Sequence, residues 1–330
     1  MDLSVLFLGT SGSMPTVQRA PSSVLVRRGG DRFLFDCGEG TQRQLLRSVG
    51  LPDLEHVFLT HFHADHFLGL PGMMKTFGLR GREVPLTIYG PRGLRGLMSD
   101  LRRIYGRLPY EVVLRELEPT EAVQFDGYRI GAYAVDHGVE ATGYAMFEDE
   151  RPGRFDPARA SALGVKAGPE FGRLQRGEPV EANGRVVEPH DVMGAPRPGR
   201  AIVISGDTRP CESTVAIARD ADVLVHDGTF ADEEEDRARQ TGHSTARGAA
   251  QVARDSGISL LALTHLSSRY FASVIEKEAR EVFDRTVVPR DFDMIEVPFG
   301  DSERAEPELV RWKEYKERLG APDIPVPNAP

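Results

Sequence analysis

Thr60-His61-Phe62-His63-Ala64-Asp65-His66-Phe67-Leu68-Gly69-Leu70 carries three imidazoles and a carboxylate at positions 61–66, directly after a strand-like run over residues 56–60. With only nine histidines in 330 residues, composition alone does not produce such a cluster. Imidazole nitrogen and carboxylate oxygen are ligands suited to zinc or manganese, and a loop leaving a strand can aim successive side chains at one point. His61 and His63, two apart, can reach one ion from the same side, which leaves Asp65 and His66 to turn toward a second. The expectation is a metal centre at a strand end.

Such a centre needs further ligands from later strand ends, and three positions qualify. His137 follows an alternating run over 128–135, Asp207 follows the apolar run 201–205, and His265 follows 260–264. A single His or Asp in such a place is commonly a cap or a satisfied polar group. What singles these three out is their joint order behind the histidine cluster.

The surrounding pattern supports strand-borne ligands. Residues 3–8 read as a buried strand ending in Gly9-Thr10-Ser11-Gly12, and 22–27 with 32–36 read as a hairpin across Arg28-Gly29-Gly30-Asp31. Thr41 is placed to cap a short helix, and helices are expected around 70–77 and 93–105, with strands at 86–89, 112–117, 128–135 and 142–147. Over 148–199 the periodicity disappears among Pro152, Pro157, Pro169, Pro179, Pro189, Pro196 and Pro198, so this stretch is expected to be an arm projecting from the domain. Strands and helices then alternate from 201 to 297, the mark of an α/β sandwich, and a polar, proline-rich tail follows. A β-rich half, an arm and a second α/β half suggest two related halves with the site between them.

Composition bounds the function. A chain of 330 residues that is 40% hydrophobic fills a sizeable core. No apolar stretch approaches the roughly 20 residues that span a bilayer, and Met1-Asp2-Leu3 does not begin like a signal peptide, so a cytoplasmic location is expected. Two cysteines, Cys37 and Cys211, make neither a disulfide framework nor a zinc-thiolate site. A formal charge of -9 disfavours a polyanion partner on balance. Locally, however, Lys75, Arg80, Arg82, Arg92, Arg95, Arg102, Arg103, Arg107 and Arg115 face only Glu83, Asp100 and Glu111 within 75–115, a segment able to meet phosphates.

The HxHxDH cluster, then His137, then Gly206-Asp207-Thr208, then Thr264-His265, resembles the metallo-β-lactamase-fold hydrolases. Phe7-Leu8-Gly9-Thr10, Phe35-Asp36-Cys37-Gly38-Glu39-Gly40-Thr41-Gln42, Gly69-Leu70-Pro71-Gly72 and Gly206-Asp207-Thr208-Arg209 look like the ribonuclease Z family within that fold. The resemblance runs over residues 3–297. It implies an α/β fold, the αβ/βα sandwich of two central β-sheets flanked by helices, with a protruding flexible arm. It also implies a domain over 1–302 that includes the arm, 148–199, and a C-terminal tail over 303–330. Gly168-Pro169 resembles the arm with which this family grips the tRNA elbow, and Arg151, Arg154, Arg159, Lys166, Arg173 and Arg176 outnumber Asp156 and Glu170 there.

Carried over by position, the resemblance implies that His61, His63 and His137 bind one zinc, that Asp65, His66 and His265 bind another, and that Asp207 bridges them, with manganese as the alternative ion. It implies Asp65 as acceptor of a water proton and His243 as general acid toward the departing 3′ oxygen. Two positions depart from the family. Asp227 stands where relatives place the Glu that partners this histidine, one methylene shorter, and Ala20 follows Arg19 where many carry Asn. The implied substrate is precursor tRNA and the implied assembly a homodimer. The alternative is another binuclear-metal phosphodiesterase or esterase of the same fold, acting on cyclic nucleotides or aryl sulfates.

Overall fold

The computed structural model describes residues 2–301 and 306–319. In β1 (Leu3–Gly9), Leu3, Val5 and Phe7 face one side and Leu6 and Leu8 the other. Both sides are buried, so the strand reads as an apolar run interrupted only by Ser4. β2 (Ser23–Arg28) and β3 (Asp31–Phe35) form the expected hairpin, with Arg28 opposite Asp31. α1 (Thr41–Arg47) starts after Gly40, and Thr41 is its first residue rather than its cap, the hydroxyl donating to Gly38 O at 2.7 Å. β4 (His56–Phe58), α2 (Ala64–Phe67), α3 (Gly69–Leu79), β5 (Leu86–Gly90), α4 (Leu94–Tyr105) and β6 (Val112–Glu116) complete the first half. Pairing is antiparallel from β1 to β3 and parallel from β3 to β6, where helices make the connections.

The second half repeats this plan, but it begins before the arm. β7 (Ala122–Phe125), which the sequence reading missed, pairs with β8 (Tyr128–Ala134), and β8 pairs with β9 (Thr142–Glu148). The arm follows as α5 (Pro157–Ala162), α6 (Pro169–Gln175), β10 (Val180–Ala182), β11 (Arg185–Val187) and α7 (Pro189–Val192). β12 (Ala201–Ile204) then pairs antiparallel with β9, Ala201 opposite Phe147. The arm is thus an insertion in one hairpin of the second sheet, not the divider between halves. α8 (Glu212–Ile217), β13 (Val223–Asp227), α9 (Glu235–Thr241), α10 (Ala246–Ser256), β14 (Leu260–Thr264), α11 (Ala272–Arg280) and β15 (Thr286–Val287) supply the parallel run.

The stretch without periodicity is folded nonetheless. Ala160, Val165, Leu174, Val180, Ala182, Val187 and Val192 make a small core of its own. Elements of three to seven residues are too short for a repeat to register. Prolines that read as breakers instead open helices: Pro157, Pro169 and Pro189 stand in the first turns of α5, α6 and α7, where no amide hydrogen is needed.

β16 (Met294–Glu296) returns to the first sheet beside β1, and β17 (Glu308–Val310) adds an edge strand to it. α12 (Trp312–Leu319) follows, its Trp312 ring 5.6 Å from Phe292. Of the stretch read as a polar tail, the described residues 306–319 therefore contribute a strand and a helix, both too short to announce themselves, and 303–305 and 320–330 lie outside the described residues.

The sheets run β17-β16-β1-β2-β3-β4-β5-β6 and β15-β14-β13-β12-β9-β8-β7, with helices outside. Between them lie Phe33, Phe35, Phe58, Ile130, Tyr144, Ile204, Val225 and Ile295. Each large side chain so buried contributes about 1.5–3 kcal/mol. This face-to-face core aligns the strand ends of both sheets, and those ends carry the polar residues of the centre.

Candidate metal centre

The histidine cluster sits where β4 gives way to one turn of helix. His63 is extended and precedes α2, while Asp65 and His66 lie inside it, so the chain reverses between the two pairs of side chains. Close approach of another loop holds the turn. Cys37 N donates to His66 O at 2.7 Å and Gly69 N to Cys37 O at 2.9 Å. A Cβ on Gly69 would lie 2.1 Å from Gly38 O, and one on Gly38 would lie 2.4 Å from Asp65 O, so only glycine fits either place. This is the structural content of the Asp36-Cys37-Gly38 motif.

Side chains from four strand ends, those of β4, β8, β12 and β14, meet here. His61, His63, His137 and Asp207 have ligand atoms within 4.8 Å of one another, and so do Asp65, His66 and His265. Asp207 Oδ2 lies between the groups, 3.2 Å from Nε2 of both His66 and His265, 3.7 Å from His61 Nε2 and 3.9 Å from His137 Nε2. All are buried except His63, which is exposed, and Asp65, which is partly so. The structure therefore brings together every ligand proposed from the sequence.

The ring tautomers test whether this set suits a cation. His66 Nδ1 lies 2.7 Å from Asp36 Oδ2, His137 Nδ1 2.7 Å from Gly242 O, and His265 Nδ1 2.8 Å from Thr229 Oγ1. His61 Nδ1 lies 3.0 Å from Thr60 Oγ1, whose own hydrogen goes to Asp36. Each Nδ1 thus donates, and each Nε2 turns a lone pair toward Asp207. Two of these, on His61 and His66, are buried with no hydrogen-bond partner. In the neutral rings such buried acceptors around a carboxylate fit a cation, a metal ion or, at His66, a proton. Asp36, Thr60, Thr229 and the Gly242 carbonyl were missed as contributors by the sequence reading. Asp36 and Thr60 left a signal, each standing in a motif already read for other reasons.

Electrostatics follow from the same crowding. Burial would raise the Asp207 carboxyl, but the imidazoles of His265 and His66 outweigh it and hold it well below the usual carboxylate range. Asp65 is likewise held low: against burial act the imidazole of His265, its Nε2 3.2 Å from Asp65 Oδ2, and that of His66, and Ser13 N donates to the same oxygen at 2.9 Å. Burial pushes His61 down, whereas in His66 the carboxylates of Asp207 and Asp36 overcome burial and push it up.

His243 stands beside this group, its Nδ1 2.7 Å from Asp227 Oδ2 and 3.9 Å from Asp207 Oδ2. The shorter carboxylate at 227 reaches, because Asp227 ends β13 and is fixed by Thr229 N at 2.9 Å. Burial lowers the imidazole, but Asp227 outweighs it and raises His243 to about 9. A cleft of about 270 Å³ opens past His243, lined by Arg209, Pro210, Ala238, Arg239 and Thr245. At position 20 only the backbone takes part, Ala20 N donating to Asp291 Oδ2 at 2.7 Å. Gly168 and Pro169 begin α6, which packs on α7 and β10 within the arm, and they are not among the centre's ligands.

A family profile described as metallo-beta-lactamase superfamily matches residues 17–265. The two-sheet sandwich with its His/Asp centre at the strand ends is that of a metal-dependent hydrolase of this superfamily. Ribonuclease Z from Halorubrum lacusprofundi is 52% identical over 309 residues, covering 92% of this chain and 100% of its own. Ribonuclease Z from Myxococcus xanthus is 48% identical over 304 residues, covering 91% and 99%. The crystal structure of human tRNase Z, short form, aligns with a TM-score of 0.65 at 28% identity, covering 90% of this chain and 100% of that one. The chain belongs to the ribonuclease Z family and is a metal-dependent endoribonuclease that hydrolyses phosphodiesters.

Proposed function

We propose that the chain removes the 3′ trailer from precursor tRNA by hydrolysing one phosphodiester, leaving a 3′-hydroxyl on the tRNA, with two zinc ions as cofactors. The observation that carries this reading is the set of Nε2 lone pairs converging on the buried Asp207. His61, His63 and His137 would hold one ion, Asp65, His66 and His265 the other, and Asp207 both. Bound there, such a pair lowers the pKa of water toward ~7 and steadies the attacking and leaving oxygens of an in-line displacement. Asp65 is ionised across the neutral range and takes the proton of the attacking water. As the bond from phosphorus to the ribose 3′ oxygen breaks, His243, its Nδ1 engaged by Asp227, gives its Nε2 proton to that oxygen.

The arm supplies the proposed tRNA surface, with Gly168 and Pro169 at the head of α6 and the exposed side chains of Arg159 and Lys166 turned to solvent where phosphates can reach them. The family resemblance further supports a homodimer acting in the cytoplasm. Among the described residues no helix is long and apolar enough to cross a membrane.

The test is cleavage of a 3′-extended precursor tRNA by purified protein of measured metal content, beside Asp65→Ala. A single cut near the discriminator nucleotide, absent from the variant, is expected. A protein that binds two metals and hydrolyses a small ester but leaves the precursor intact would refute the reading.

A further inference from the structure

The segment that leaves β16 plays no part in the chemistry, yet it grips the root of the arm. At the root, Arg200 Nε and Nη2 donate to Glu148 at 2.7 and 2.8 Å, and Arg200 Nη1 donates to Val297 O at 2.8 Å. Just beyond Val297, the Phe299 ring lies between two guanidiniums, Arg151 at 3.6 Å and Arg200 at 3.9 Å from its centroid. Asp301 then meets the arm itself. Its carboxylate accepts from Arg151 Nη2 at 2.8 Å, from Arg154 Nη2 at 3.4 Å and from Arg197 Nη1, and its carbonyl accepts from Arg154 Nη2 at 2.8 Å.

Arg151 and Arg154 lie on the chain entering the arm and Arg197 on the chain leaving it. The two legs also pair directly, Arg151 N with Arg197 O and Arg197 N with Arg151 O, each at 2.8 Å. One carboxylate on the connection from β16 to β17 therefore ties both legs of the arm to the first sheet. We propose that Asp301 is a positioning residue that clamps the arm in one pose relative to the metal centre and thereby sets the affinity for precursor RNA. This rests on the reading that the arm contacts the tRNA. Without the carboxylate, three guanidiniums crowd one neck with mutual repulsion, and the arm spreads over more poses. Only the fraction in the competent pose binds, so affinity falls while chemistry at the centre does not.

The experiment compares full-length wild type, Asp301→Ala, Asp301→Asn and a chain in which a short Gly-Ser linker replaces residues 152–196. Readouts are amide hydrogen exchange across the neck, and KM and kcat for a precursor tRNA and for bis-p-nitrophenyl phosphate. Expected for both point variants are faster exchange at Arg151 and Arg197, a KM for the precursor raised roughly 3- to 10-fold, and unchanged kcat and small-substrate hydrolysis. The deletion should raise KM further. Asp301→Asn keeps the side chain's shape and carries the test should the alanine variant lose stability. Unchanged exchange overturns the clamp, and so does faster exchange with unchanged KM when the deletion raises KM. A deletion that itself leaves KM unchanged overturns the arm-contact reading, and the link from clamp to affinity falls with it.

Discussion

Replacing Asp36 by Asn changes one atom of a buried side chain that touches no proposed substrate, and it should disable half of the metal centre. Asp36 Oδ1 accepts from Thr60 N at 2.8 Å, while Oδ2 lies 2.7 Å from His66 Nδ1 and 2.9 Å from Thr60 Oγ1. In the variant the carboxamide oxygen keeps the Thr60 amide, and the NH2 group faces His66. A donor there forces His66 Nδ1 to accept, which moves the ring proton to Nε2, 3.2 Å from Asp207 Oδ2. The new N–H then bonds Asp207 where a cation would sit. Loss of an orienting partner of a metal-bound histidine costs 10- to 100-fold in affinity, roughly 1.4–2.7 kcal/mol, and the tautomer change places the effect at the upper end. The metal-free protein should lose stability too, because the Asp36 carboxylate that helps hold His66 charged is gone. Competition with a chelator gives the two affinities, and thermal melts with and without metal give the stabilities. An Asn variant that holds both metals as tightly as wild type would refute the tautomer argument.

Three further outcomes follow from the same geometry. Asp207→Ala should release metal from both groups of ligands, since one oxygen lies between them; elemental analysis finding two tightly bound ions per chain would contradict sharing. In metal-free protein His243 should titrate near 9, because Asp227 outweighs burial, and in Asp227→Asn, where only Asp207 still opposes burial, it should titrate clearly lower, as read from imidazole NMR shifts. Since this pKa is raised on folding, its stabilisation is complete below about 6.5 and is lost as pH rises through about 9; a metal-free melt showing the opposite trend in wild type relative to His243→Ala would exclude it. Gly69→Ala drives a Cβ to 2.1 Å from Gly38 O, a backbone atom that cannot swing aside; a loss of about 1–3 kcal/mol in denaturant titration is expected, with metal lost from the Asp65 and His66 side.

The ligands themselves were legible because their information is local. His61, His63, Asp65 and His66 announce a metal centre by spacing, and His137, Asp207 and His265 by standing in order just past strand-like runs, alternating before His137 and apolar before the other two. Strands buried on both faces and helices of several turns leave periodic patterns, so most of the sandwich could be read as well. Tertiary structure alone decided what depends on register and on contacts far apart in the chain. Asp36 acts on His66 across thirty residues, and Thr229 acts on His265 across thirty-six. The place of the arm, inside the second sheet rather than between halves, follows from β9 pairing with β12 across the whole insertion. The clamp at Asp301 joins residues separated by 104 to 150 positions, and the edge strand β17 is three residues long. Neither a short element nor a long-range hydrogen bond imposes a repeat on the sequence, so these features exist only once the two sheets have closed on their common core.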